Sequence, residues 1–139
     1  MSLRREVVEE RLAKIREIVT LLSQLQGLSG DELQADPFRL YTVERGLQVA
    51  IECVLDIGSH VISAYGFRKP SEYAEVFVIL KEHRVLPSEF AERIRPMAGL
   101  RNLLVHMYLE VNAHRLAQQL DHLDDFRAYG EHILDFIGH

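Results

Sequence analysis

The sequence predicts an all-α protein, a bundle of four long helices and one short helix in a single domain spanning residues 1–139. Three observations carry this. Apolar residues recur at gaps of three and four over long stretches, no segment sustains the two-residue alternation of a half-buried strand, and Pro, Gly, Asp and Asn stand where helices start and stop. At 139 residues and 47% apolar, the chain is the size of one ordinary domain and can bury one core.

The first helix covers residues 4–26, with Val8, Leu12, Ile15, Val19, Leu22 and Leu25 tracing one stripe. Gly27-Leu28-Ser29-Gly30 ends it in a turn. Asp36-Pro37 then reads as an N-cap followed by proline at the first helical position. From Phe38 to about Tyr65 the apolar residues, among them Leu40, Val43, Leu47, Ile51, Val54 and Val61, cover more than one face, so this helix should be central. Gly66 closes it. Lys69-Pro70-Ser71 opens a shorter helix carrying Tyr73, Phe77 and Leu80, and Pro87-Ser88-Glu89 starts another with Ser88 as its cap. Pro96 should kink or break that helix just before Met97. Asn112 is the expected cap of a last helix carrying Leu116, Leu120, Leu123, Phe126, Tyr129, Ile133 and Phe136 to the C-terminus.

Composition narrows the function classes. With 27% charged residues, 4 Pro and 8 Gly, the chain is neither disordered nor fibrous. Its apolar runs are broken by charge before the roughly 20 residues of a membrane span, and Met1 to Glu6 lack the features of a secretory signal, so a soluble, cytoplasmic protein is expected. Cys53 is the single cysteine and should be a buried thiol. A net charge of −5 argues against a general nucleic-acid coat, so any nucleic-acid site must be local. Residues 81–101 hold five Lys or Arg against three Glu, which suits such a local site.

Chemistry concentrates in Gly99-Leu100-Arg101-Asn102-Leu103-Leu104-Val105-His106-Met107-Tyr108, where four polar side chains interrupt an apolar helical run. Arg101 shares a stripe with Ile94 and Leu104, and on a continuous helix Tyr108 would fall within about 20° of it. Asn102 and His106 stack one turn apart. An arginine on an apolar stripe is costly to bury unpaired and should meet a carboxylate, a phosphate or another subunit. A lone Arg or His on a helix face is more often a structural ion pair or a satisfied core group, yet an arginine, a histidine, an amide and a phenol together are parts that a metal-free ribonuclease could use. Histidine can take or give the proton of a ribose 2′-OH near neutral pH, and arginine can hold the phosphate with forked donors.

Arg101-x4-His106-x-Tyr108 resembles the signature of the HEPN superfamily, specifically its HepT-like toxins. The resemblance extends to Tyr41–Ile62, including Glu44-Arg45 and Asp56-Ile57-Gly58-Ser59-His60, and to Tyr73–Arg95, so it covers most of the chain. It implies a HEPN-type helical bundle, homodimeric, acting as the toxin of a type VII toxin–antitoxin pair. It further implies cleavage of RNA without metal or cofactor, by 2′-OH attack that leaves a 2′,3′-cyclic phosphate and a 5′-OH. Arg101 and His106 would be the catalytic pair and Asn102 a supporting residue. Tyr108 matches the position at which an MntA-type minimal nucleotidyltransferase antitoxin attaches ATP-derived AMP. Phosphates placed next to Arg101 would occupy its donors and repel RNA.

Arg101 and His106 are five residues apart, about 140° around a regular helix, so one straight helix would not aim both at one phosphate. Either the helix bends near His106 or two copies of the motif build a shared cleft across a two-fold axis; the second is favoured here. Other constellations are weaker. Glu110 with His114, and His122 with Asp125, have helical spacing for two metal ligands, but no third stands at convincing spacing. Asp121, Asp124 and Asp125 read as a solvated face, Arg45 as an ion-pair partner of Glu44 or a neighbouring helix, and Gly58-Ser59 as small residues for close packing. Two other classes remain open: a non-catalytic HEPN module binding a nucleotide or a nucleotidyltransferase through Arg101, and a plain dimerisation domain.

Overall fold

Helix-forming periodicity dictates every element of the computed structural model, which describes residues 2–138. In chain order these are α1 (Arg5–Ser23), α2 (Gly30–Gln34), α3 (Pro37–Ala64), α4 (Tyr73–Glu82), α5 (Ser88–Ile94), α6 (Met97–His106), a 3-10 turn (Tyr108–Glu110), α7 (Ala113–Leu120) and α8 (Asp124–Ile137). No strand occurs among the described residues.

α3 is central, as its multi-faced apolar pattern requires: α1, α2, α4, α6, α7 and α8 all pack against it. It starts at the expected Asp36 cap, whose carboxylate accepts from the Arg39 N–H, with Pro37 at the first position. By length and composition α3 could cross a membrane, yet Val43, Leu47, Ile51, Val54, Ile57 and Val61 are buried inside the bundle. Each such side chain contributes about 1.5–3 kcal/mol by leaving water. Against α3 lies α8, whose fully buried Tyr129 donates its hydroxyl to the Val54 carbonyl at 2.8 Å. Burial pushes that phenol well above its ordinary pKa. Cys53 is buried as expected, and burial raises its thiol pKa. Gly66, with φ of +71°, ends the chain's run out of α3 in a left-handed turn that side-chain residues adopt only at a cost.

The all-α class holds, and the segmentation is finer than expected. α2 was not anticipated between the first two helices; it is set by a capping box in which Ser29 accepts from the Glu32 N–H while Glu32 accepts from the Ser29 N–H. Ser88 does not cap α5. Pro87 holds the N-cap position and Ser88 is the first helical residue. Pro96 breaks the chain into α5 and α6, as its missing N–H and its ring demand. The last helix is two: Asn112 caps α7 through the His114 and Arg115 N–H groups, and a turn at residues 121–123 separates α7 from α8. Leu120 and Leu123 are both buried, so the turn lets each helix send its own stripe into the core.

Candidate functional site

α6 ends at His106, and this termination builds the site. Its Leu104 and Leu100 point into the core, whereas Met107, Tyr108 and Leu109 are exposed and give a longer helix no apolar face to hold. Met107 leaves the helical region with φ of −128° and ψ of 41°. Tyr108 therefore does not share a helix face with Arg101, contrary to expectation. It sits in the 3-10 turn, 67% exposed.

Arg101 and His106 converge within a single chain. Arg101 Nη1 lies 3.4 Å from His106 Nε2 and donates to Asn102 Oδ1 at 3.2 Å. The long arginine side chain spans the angular gap that seemed to demand a second copy, so the geometric reason for a shared two-fold cleft falls away. A guanidinium only donates, so its approach to Nε2 is favourable when that nitrogen is bare and the proton is on Nδ1.

Of the partners expected for Arg101, a carboxylate, a phosphate or another subunit, the structure shows a carboxylate. Nε donates to Glu52 Oε1 on α3 at 2.9 Å, with Arg101 13% and Glu52 34% exposed. The guanidinium carbon also lies 4.6 Å from the centre of the Tyr73 ring, at the start of α4. Neither Glu52 nor Tyr73 was singled out in the sequence. Glu52 stands 49 residues from Arg101 and no local pattern links them; the one available signal was a carboxylate between buried Ile51 and Cys53.

Arg101, Asn102, His106 and Tyr73 line a cleft of about 660 Å³ together with Ser59, Pro70, Ser71, Glu72 and Val76, with Glu52 behind the arginine. Ser59 thus faces solvent in the cleft and is not a packing residue, whereas Gly58 is one. The cleft wall at residues 70–72 is tied down by Glu75, which accepts from the Ser71 hydroxyl and N–H and from Arg68. Those bonds, the Ser71 hydroxyl first, hold the Glu75 carboxyl at about 2. A larger groove of about 920 Å³ between the α4–α5 turn and α8 shares no residue with the cleft and gathers no comparable set, Lys81 being paired with Glu92 and Glu82 with Arg68.

Of the five cations in residues 81–101, Lys81, Arg93, Arg95 and Arg101 are in ion pairs, so the basic segment is largely neutralised. Asp125 is not solvated but pairs with Arg93, whereas Asp124 pairs with Arg127 on the surface. Arg45 is exposed and, among the described residues, makes no ion pair with Glu44 or a neighbouring helix. Among the described residues no three His, Cys, Asp or Glu side chains gather as ligands would.

The sequence profile of ribonuclease HepT-like proteins matches residues 8–133. The chain is 29% identical over 110 residues to the tRNA nuclease HepT of Aphanizomenon flos-aquae, covering 79% of this chain and 75% of that one. It is 24% identical over 125 residues to the mRNA nuclease HepT of Shewanella oneidensis, covering 89% and 93%. Its fold matches the tri-AMPylated Shewanella oneidensis HEPN toxin, solved in complex with an MNT antitoxin, with a TM-score of 0.82 at 24% identity over 91% of this chain and 96% of that one.

Proposed function

Since the chain belongs to the ribonuclease HepT-like family, we propose that it is the toxin of a toxin–antitoxin pair, an endoribonuclease that needs no metal and is silenced by AMP transfer to Tyr108. The observation that carries this reading is the approach of Arg101 Nη1 to His106 Nε2, 3.4 Å apart in one cleft beside Asn102.

In the proposed reaction a ribose 2′-OH gives its proton to the bare His106 Nε2 while its oxygen attacks the adjacent phosphorus. The bond from phosphorus to the 5′-oxygen breaks, and that oxygen takes a proton from solvent. The products are a 2′,3′-cyclic phosphate and a 5′-OH. Arg101 donates to the non-bridging oxygens, where negative charge builds during in-line attack. Asn102 keeps the guanidinium edge turned toward the histidine. An MntA-like nucleotidyltransferase is the proposed antitoxin. Tyr108 suits its role because the phenol is exposed and follows His106 by two residues, so each transferred AMP adds phosphate charge two residues from the catalytic histidine. Homodimerisation belongs to the same reading and is supported by large apolar side chains left in water: Phe38, Tyr41, Met107 and Leu109.

The test is expression in a bacterial host with and without the neighbouring nucleotidyltransferase. The parent should arrest growth and cleave RNA to ends carrying 2′,3′-cyclic phosphate, and His106→Ala should do neither. Co-expression should add AMP masses that map to Tyr108. Equal toxicity of parent and His106→Ala would overturn the catalytic assignment.

A further inference from the structure

A negative charge stands against the arginine of the cleft, where a phosphate is expected to bind. Glu52 Oε1 lies 2.9 Å from Arg101 Nε and opposes the arginine's attraction for a phosphate. A site shaped only for phosphate affinity would be better without it. Orientation is what the carboxylate can supply. A guanidinium is a planar fork with donors on distinct edges. Here Nε–H is engaged by Glu52, one face rests on the Tyr73 ring, and Nη1 reaches Asn102 Oδ1 and His106 Nε2. Nη2, beside Nη1 on the terminal edge, makes no hydrogen bond among the described residues and is the donor left for a ligand. Glu52 is a firm anchor because its neighbours Ile51 and Cys53 are buried in the central helix α3.

Resting on the ribonuclease reading above, we propose that Glu52, seconded by the Tyr73 ring, is the positioning residue for Arg101. It trades phosphate affinity for a guanidinium held in the one orientation that faces both the scissile phosphate and His106. Glutamine keeps the acceptor oxygen but not the charge, and alanine keeps neither, so the two variants separate geometry from electrostatics.

The experiment measures kcat and KM on a short RNA for the parent, Glu52→Gln and Glu52→Ala, beside the two-dimensional NMR signal of the Arg101 Nε–H. Glu52→Ala should lower kcat by roughly 10- to 100-fold without raising KM, the cost of a misaligned catalytic group. Glu52→Gln should restore most of that kcat and lower KM, because RNA then meets an uncancelled arginine. The Nε–H signal should be protected from exchange in the parent and in Glu52→Gln, and lost in Glu52→Ala. Unchanged kcat in Glu52→Ala, or equal losses in both variants with raised KM, would overturn the proposal. Should Glu52→Ala fail to fold, Tyr73→Leu at its half-exposed position replaces it, with lowered kcat at constant KM as the expected result and unchanged kcat as the contrary one. A parent that cleaves no RNA would defeat the ribonuclease reading alone. The NMR signal, read with a 2′-O-methyl RNA as the probe, still decides the positioning: it stays protected on binding if Glu52 holds Arg101, and an unprotected Nε–H in the parent refutes it.

Discussion

Single side chains in the cleft are set by hydrogen bonds that cross between elements, and Glu75 shows how far such bonds can move a group. Ser71 donates to it through both hydroxyl and backbone N–H, and Arg68 adds a charged donor, so the carboxyl is held at about 2 against an ordinary 4.5. A depressed folded-state value means that the charged form stabilises the fold. That contribution is complete above pH 4.5 and is lost as the pH falls through about 2. The Glu75 carboxyl carbon followed by NMR should therefore titrate near 2 in the parent, and Ser71→Ala should shift the midpoint upward. A parent midpoint of 4 or above would show that the 70–72 wall is not anchored in this way. Arg101 follows the same logic with a different consequence, because its partners Glu52, Tyr73 and Asn102 come from three different segments.

At the scale of elements, α3 and α4 meet at Gly58, where a Cβ would stand 2.6 Å from Val76 Cγ1 and 3.1 Å from the Tyr129 hydroxyl oxygen. Gly58→Ala should cost about 1–3 kcal/mol by overpacking, even though alanine is the better helix former. Gly99 on α6 meets nothing within 4 Å, so Gly99→Ala should be neutral or gain up to about 1 kcal/mol. Urea unfolding of the pair checks this, and two equal midpoints would contradict the close approach. Helix starts with a cap, such as Asp36-Pro37 and Asn112, and the break at Pro96 were legible because their causes lie within a few residues. The capping box of α2 was equally local in Ser29 and Glu32 but was hidden behind two glycines that read as a turn. The break at residues 121–123 and the end of α6 at His106 had no local punctuation. They follow from which side chains find a core to enter, a tertiary fact. The site divides likewise: Arg101, Asn102 and His106 stood in one stretch of sequence, whereas Glu52 and Tyr73 reach it only through the fold.

On the scale of the whole molecule, under the proposed ribonuclease reading a protein of net charge −5 brings RNA to a cleft whose arginine is already paired, so on that reading long-range attraction is not its main device. Assembly is the larger open surface. Phe38 is 88% exposed on the first turn of α3 and supports nothing inside its own chain. Phe38→Arg should leave the helical content intact and convert a two-protomer species to one protomer in analytical ultracentrifugation. A monomeric parent, or an unaltered variant, would remove this face from the proposed dimer. The chain has no tryptophan and five tyrosines, of which Tyr41, Tyr65, Tyr73 and Tyr108 are exposed and Tyr129 is wholly enclosed. The bond from Tyr129 to the Val54 carbonyl that joins α8 to α3 thus doubles as an optical gauge. The part of the near-ultraviolet circular dichroism that Tyr129→Phe removes reads whether the C-terminal helix is seated, with no label introduced.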